Sequence, residues 1–190
     1  MKVTLKDALN IPNLMGYFRL ILIPVFAFTY LTARSRPQYI MAVMFLALSA
    51  LTDVFDGPVA RYYHMVTELG KFLDPLADKL TLGVVFLCMT TRFSWLWLLV
   101  GLYIVKEGFM GIMGLITLKV KKTKLDGAMW FGKLCTASSF IVMLLLLLFP
   151  KMPVTAANIL ILICGAIMVF TLIMYIFKFR IMWKTASKPV

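Results

Sequence analysis

Six predominantly apolar runs follow one another along the chain, at roughly 14–33, 39–62, 71–91, 94–118, 128–149 and 155–178. A hydrocarbon core about 30 Å thick takes about 20 residues of α-helix to cross, and each run is near or above that length. The breaks are short and carry turn-forming or charged residues: Arg34 to Pro37, Tyr62 to Gly70, Arg92 to Ser94, Lys119 to Gly127 and Pro150 to Pro153. In lipid every backbone N–H and C=O must find its partner within the protein, so runs of this kind are helices. The pattern predicts an all-α integral membrane protein, a six-transmembrane-helix bundle. A short amphipathic helix over residues 1–10 is expected before it, with Val3, Leu5, Ala8 and Leu9 on the headgroup layer. At 190 residues the chain suits a single domain, 1–190.

Composition sharpens the class. Hydrophobic residues make up 62% of the chain and charged residues 15%, far from the roughly 45–50% apolar share of a soluble domain. The net charge of +12 does not indicate nucleic acid, because the Lys and Arg sit between apolar runs and form no continuous basic face. They are instead unequally divided between the two ends of the spans. Lys2, Lys6, Arg61, Lys71, Lys119, Lys121, Lys122, Lys124, Lys178, Arg180, Lys184 and Lys188 fall on the side of the N-terminus, and only Arg34, Arg36, Arg92 and Lys151 on the other. The positive-inside rule then puts both termini in the cytoplasm. Cys88, Cys135 and Cys164 lie inside apolar runs without metal-ligand or CxxC spacing and read as helix-packing residues. No signal peptide is expected at the N-terminus.

Carboxylates inside a span are costly, about 2.5–3.5 kcal/mol each for Asp at a helix centre, and normally mark function. Here Asp53 and Asp56 stand three apart near the end of the second run, and Asp74 and Asp78 four apart near the start of the third. At about 3.6 residues per turn each pair shares one helix face. Both pairs lie at similar depth, so they can meet. Four facing carboxylates repel unless a cation neutralises them, and an all-oxygen donor set favours Mg²⁺, Mn²⁺ or Ca²⁺. Gly57 and Ala60 share the face of Asp53, and Gly70 lies one turn before Asp74; such small residues let backbone approach a bulky anion. Arg61 adds a planar fork suited to phosphate oxygens. Together these are the parts of a phosphoryl-transfer site.

The segment LTDVFDGPVARYYHMVTELGKFLDPLADK contains Asp53-x2-Asp56-Gly57-x2-Ala60-Arg61-x8-Gly70-x3-Asp74-x3-Asp78. It resembles, at every fixed position, the signature of the CDP-alcohol phosphotransferase family. Eight fixed residues at fixed spacing arise by chance on the order of 10⁻¹⁰ per starting position, which sets coincidence aside. The likeness extends upstream to Asn10-Ile11-Pro12-Asn13 and Arg19, similar to the first span of phosphatidylglycerophosphate synthases and eukaryotic-type cardiolipin synthases. What the resemblance implies is transfer of a phosphatidyl group from CDP-diacylglycerol to a small alcohol with release of CMP. Asp53, Asp56, Asp74 and also Asp78 would hold two divalent cations, Mg²⁺ or Mn²⁺. Asp78 would be the catalytic base, and Asp53, Gly57, Ala60, Arg61 and Gly70 would bind the CDP-alcohol. It further implies a homodimer in the cytoplasmic membrane of a bacterium, with the active site on the cytoplasmic side, where the lipid tails of the donor stay in the bilayer.

The acceptor is less sharply written. Phosphatidylglycerophosphate synthases typically carry an Arg-Glu pair and a later Leu-Arg in the fourth span, and Gly-Lys-x-Lys-Thr in the fifth. This chain has Lys106-Glu107, no later Arg in GFMGIMGLI, and Gly132-Lys133-Leu134-Cys135-Thr136; Gly16 also stands where a Thr is common. Lys133 and Lys106 are the acceptor-binding candidates, with glycerol 3-phosphate expected as acceptor and phosphatidylglycerol, as in a cardiolipin synthase, the alternative. Lys106 has a second reading in which it only pairs with Glu107 or another helix. The Lys119 to Lys124 run reads as a positive-inside anchor, His64 as an incidental loop residue, and the many Met and Phe as lipid-facing or packing groups. A small cation transporter would also place carboxylates inside a bundle, but it predicts helix breaks and inverted repeats that this sequence does not display.

Overall fold

Residues 10–63, 65, 67–121 and 129–185 are described by a computed structural model. The amphipathic segment expected over residues 1–10 lies outside them except for Asn10, as do His64 and Lys122 to Lys124. The described residues fold into α1 (Ile11–Thr32), α2 (Arg36–Tyr62), α3 (Glu68–Met89), α4 (Leu96–Lys121), α5 (Trp130–Leu148) and α6 (Val154–Thr185), with no strand among them. Each predicted apolar run is one of these helices. Five are long and apolar enough to cross a membrane; α3, which carries Asp74, Asp78 and Lys79, is the exception. The chain is therefore an all-α membrane protein. Large apolar side chains such as Phe28, Met44, Ile104 and Leu115 stand exposed along the spans, as lipid-facing residues do and as a water-soluble surface does not.

Helix ends follow local chemistry. Asn10 caps α1, its side chain accepting from the Asn13 N–H at 3.1 Å, with Pro12 in the first turn; that cap starts the helix three residues before the apolar run. At the start of α2 the Gln38 side chain accepts from the N–H groups of Arg34 and Ser35, at 2.8 and 3.2 Å, which satisfies donors that a helix N-terminus leaves free. Thr67 caps α3, accepting from the Gly70 N–H at 3.0 Å. The last helix runs past the expected end near 178 to Thr185. Its buried stripe, Ala157, Ile161, Cys164, Met168, Thr171, Tyr175 and Phe179, continues at helical spacing beyond the apolar run, while Arg180 is exposed off that stripe.

The chain divides into two compact units, residues 1–88 and 89–190. In the first, α1 packs along α2. The face of α1 turned inward reads Asn13, Gly16, Arg19, Leu22, Phe26, Tyr30, polar at its start and apolar at its end. The apolar end is closed by a chain of rings, Phe26 to Tyr30 at 5.5 Å and Tyr30 to Tyr39 of α2 at 5.6 Å. In the second unit α6 packs against both α4 and α5, around Phe131, Tyr175 and Phe179 with Phe109, Met110, Met113, Met129 and Met174 against them. All three cysteines are buried and outside any disulfide, in keeping with packing roles.

Candidate active site

The first unit brings the four aspartates to one point, and Arg19 of α1 lies at its centre. Its Nη1 is 2.5 Å from Asp53 Oδ1, 3.1 Å from Asp56 Oδ2 and 3.0 Å from Asp74 Oδ1, and Nη2 contacts Asp78 Oδ1. The guanidinium side chain is 3% exposed, whereas Asp74 and Asp78 are 54% and 53% exposed. The arginine is thus a floor of the site and the two α3 carboxylates its open rim. Four carboxylates against one guanidinium leave the cluster with surplus negative charge, which favours a further cation.

The donor geometry suits that cation. Asp53, Asp56 and Asp74 each offer a carboxylate oxygen, and the three atoms lie within 4.8 Å of one another. A purely carboxylate set matches hard divalent ions such as Mg²⁺, Mn²⁺ or Ca²⁺. Helical spacing is the reason for the convergence: positions 53 and 56 share a face of α2, and 74 and 78 share a face of α3. Pro58 and Pro75 sit inside these same two helices, each removing one backbone N–H close to an aspartate.

Beside the aspartates opens a cleft of about 270 Å³ lined by Asn13, Gly16, Asp56, Gly57, Ala60, Arg61, Thr67, Gly70 and Asp74, with Pro12, Met65 and Leu73. Of the residues expected to bind the donor, Gly57, Ala60, Arg61 and Gly70 all border it; Asp53 does not line it and is reached through Arg19. Arg61 is exposed at this wall. The glycines differ in kind. A Cβ at Gly57 would meet only the Arg61 guanidinium at 3.8 Å, so this glycine keeps space open and nothing more. A Cβ at Gly70 would fall 2.7 Å from Asn13 Oδ1 and 3.2 Å from Thr67 Oγ1, so this one is required by a close approach inside the protein.

That approach belongs to a polar clasp which sequence reading does not supply. Asn13, buried in α1, donates from Nδ2 to Thr67 Oγ1 at 3.1 Å, and Thr67 Oγ1 donates to Asn13 Oδ1 at 3.2 Å. Asn10 Nδ2 donates to the Met65 carbonyl at 3.2 Å. The start of α1 is thereby tied to the α2–α3 connection, which fixes Arg19 relative to the aspartates. Arg19 itself carried a usable signal, a lone cation inside an apolar span; Thr67 carried a weaker one, a capping residue before a helix.

Lys106 and Lys133 belong to the second unit. Lys106, 6% exposed, holds Glu107 Oε1 at 2.8 Å and donates to Cys135 Sγ at 3.6 Å. Lys133 is exposed on α5, beside Gly132, whose missing side chain accommodates the Tyr175 hydroxyl.

Residues 9–183 match the profile of the CDP-alcohol phosphatidyltransferase family. The chain is also 29% identical over 161 residues to proteins of Salmonella typhimurium (strain LT2) and Escherichia coli (strain K12), covering 84% of this chain and 88% of each relative. Both relatives are named CDP-diacylglycerol–glycerol-3-phosphate 3-phosphatidyltransferase. With a match over nearly its whole length, and with the signature aspartates gathered around Arg19, the chain belongs to the CDP-alcohol phosphatidyltransferase family, a membrane-embedded transferase of phospholipid synthesis.

Proposed function

We propose that this enzyme transfers the phosphatidyl group of CDP-diacylglycerol to glycerol 3-phosphate, giving phosphatidylglycerophosphate and CMP. The observation that carries the reading is the juxtaposition of the aspartate cluster with a cleft walled by Gly57, Ala60, Gly70 and Arg61; the names of the relatives supply the donor and acceptor. In this reading Asp53, Asp56 and Asp74 are the ligands of two divalent cations, Mg²⁺ or Mn²⁺, with Asp78 at their edge. The cations, when bound, would neutralise the diphosphate and the charge that develops on the leaving CMP. Arg61 donates to phosphate oxygens, and the small side chains admit the nucleotide to the wall of the cleft. Asp78, half exposed at the rim, takes the proton of the acceptor hydroxyl as its oxygen bonds to the phosphatidyl phosphorus and the bond from that phosphorus to CMP breaks.

The whole chain, 1–190, acts as one membrane domain with six spans in this reading, α3 crossing with its carboxylates turned towards Arg19; the Lys and Arg asymmetry supports both termini and the site on the cytoplasmic side, and the bacterial relatives support a bacterial membrane. Lys133 is the acceptor-phosphate candidate. A second reading, transfer to the hydroxyl of phosphatidylglycerol, draws on one observation: Lys106, the other candidate cation, is buried against Glu107 and Cys135. CMP release from purified protein with Mg²⁺ or Mn²⁺, CDP-diacylglycerol and a panel of acceptors tests both. Release with glycerol 3-phosphate alone supports the first reading, and release with phosphatidylglycerol alone replaces it by the second. Undiminished turnover after thorough chelation would sink the role of the cations.

A further inference from the structure

The aspartates that suit a divalent cation are already served by a cation of the chain itself. One nitrogen, Arg19 Nη1, contacts oxygens of Asp53, Asp56 and Asp74 at 2.5, 3.1 and 3.0 Å, and these are the same three residues whose oxygens cluster within 4.8 Å. An ion bound to those oxygens at the usual distance of about 2.0–2.6 Å would set two positive charges side by side on one donor set. The arginine is held there at some expense, since its Nε is buried and has no hydrogen-bond partner among the described residues, a situation proteins generally avoid. Every strong contact of this side chain given by the structure is to a carboxylate of the cluster.

We propose that Arg19 is a resident counter-ion, which stands where a divalent ion would bind, holds the four aspartates in register, and withdraws from Asp53, Asp56 and Asp74 when such an ion loads. It is a positioning residue, and the inference rests on the reading of the aspartates as cation ligands. Its consequence is that metal binding is an exchange of one cation for another, so that the cluster is never left as four bare carboxylates facing one another.

The test is Mn²⁺ binding to full-length protein in detergent, by equilibrium dialysis, for wild type, Arg19→Gln, Arg19→Lys and Asp56→Asn, with thermal unfolding of each in EDTA and in saturating Mn²⁺. Removing the competitor in Arg19→Gln should tighten Mn²⁺ binding about tenfold or more. The same variant should unfold at lower temperature than wild type in EDTA, and the gap should close in Mn²⁺, because the ion takes over the work of the missing guanidinium. Purification in Mn²⁺ followed by dialysis guards against a variant that misfolds when empty. Should Arg19→Gln still not fold, Arg19→Lys, whose single ammonium cannot span the cluster, should shift affinity in the same direction by less. Equal or weaker Mn²⁺ binding in the folded arginine variants, with wild type binding normally, would overturn the inference and leave the cation reading standing. No saturable binding in any protein, or binding unchanged in Asp56→Asn, would overturn the cation reading and this inference with it.

Discussion

The two halves of this chain bury apolar and polar side chains alike, and differ in how the polar ones are arranged. Residues 1–88 turn Asn13, Arg19, Ser49 and Asp56 inward and keep their apolar closure, Phe26, Tyr30 and Tyr39, at the far end of the helices. Residues 89–190 bury a continuous apolar stripe on α6 against aromatic and methionine side chains, with Lys106 the one cation of α4–α6 described as buried. In the first unit charged side chains of three helices meet at one cluster around Arg19, and in the second the buried Lys106, Thr117, Ser139 and Thr171 are spread through an apolar interior. The difference teaches that the candidate catalytic groups are held by contacts between helices, so that a change at one of them disturbs the others.

The largest effect that would break this contrast lies at the rim of the cluster. Asp78→Asn should lower kcat by on the order of 10²–10⁴-fold, the usual worth of a positioned general base, while binding of CDP-diacylglycerol, measured separately, stays near wild type. Wild-type turnover in this variant would remove Asp78 from the role of base and send the search to the remaining carboxylates.

Next in size is the ion pair of the second unit. Lys106→Met removes the 2.8 Å ion pair to Glu107 and the 3.6 Å contact to Cys135 made by a buried ammonium and should destabilise the folded enzyme by on the order of 1–3 kcal/mol. Lys106→Met with Glu107→Gln should recover most of that stability. If Lys106 only pairs, the double variant also keeps its KM for the acceptor; if it touches the acceptor, stability returns and KM does not. Thermal unfolding and acceptor titration on the same preparations separate the two.

How much of this was legible beforehand follows from the range of the interactions. The helices were readable because the bilayer fixes their length, and the aspartate pairs because spacings of three and four are local properties of a helix. The end of α6 lies beyond the apolar run that stops near Lys178, because the buried stripe through Tyr175 and Phe179 carries the helix on to Thr185. Arg19 was visible as an ionisable residue in a span, but which carboxylates it meets depends on how α1 lies along α2 and α3, and no periodicity within one helix contains that. Gly70 was read as room for an anion; its tightest constraint is the Asn13 amide of another helix. Gly57, whose nearest neighbour is Arg61 of its own helix, and Ala60 border the cleft as their spacing from Asp53 predicts.

The glycines give the smallest and sharpest effect. Gly70→Ala puts a methyl 2.7 Å from Asn13 Oδ1, and since the Asn13–Thr67 pair cannot shift without losing a hydrogen bond, the cost should be about 1–3 kcal/mol. Gly57→Ala meets nothing nearer than 3.8 Å and lies inside α2, where alanine is favoured over glycine by about 0.5–1 kcal/mol; this variant should be as stable as wild type or slightly more so. Its methyl nevertheless narrows the wall at which the donor is proposed to bind, so KM for CDP-diacylglycerol should rise several-fold with kcat less affected. A stable Gly57→Ala enzyme with unchanged donor KM would detach this wall from the nucleotide, and a destabilised one would mean that α2 is held more tightly at Gly57 than its neighbours indicate. The pair of variants therefore separates, in one unit of the protein, a glycine needed for folding from a glycine needed for substrate.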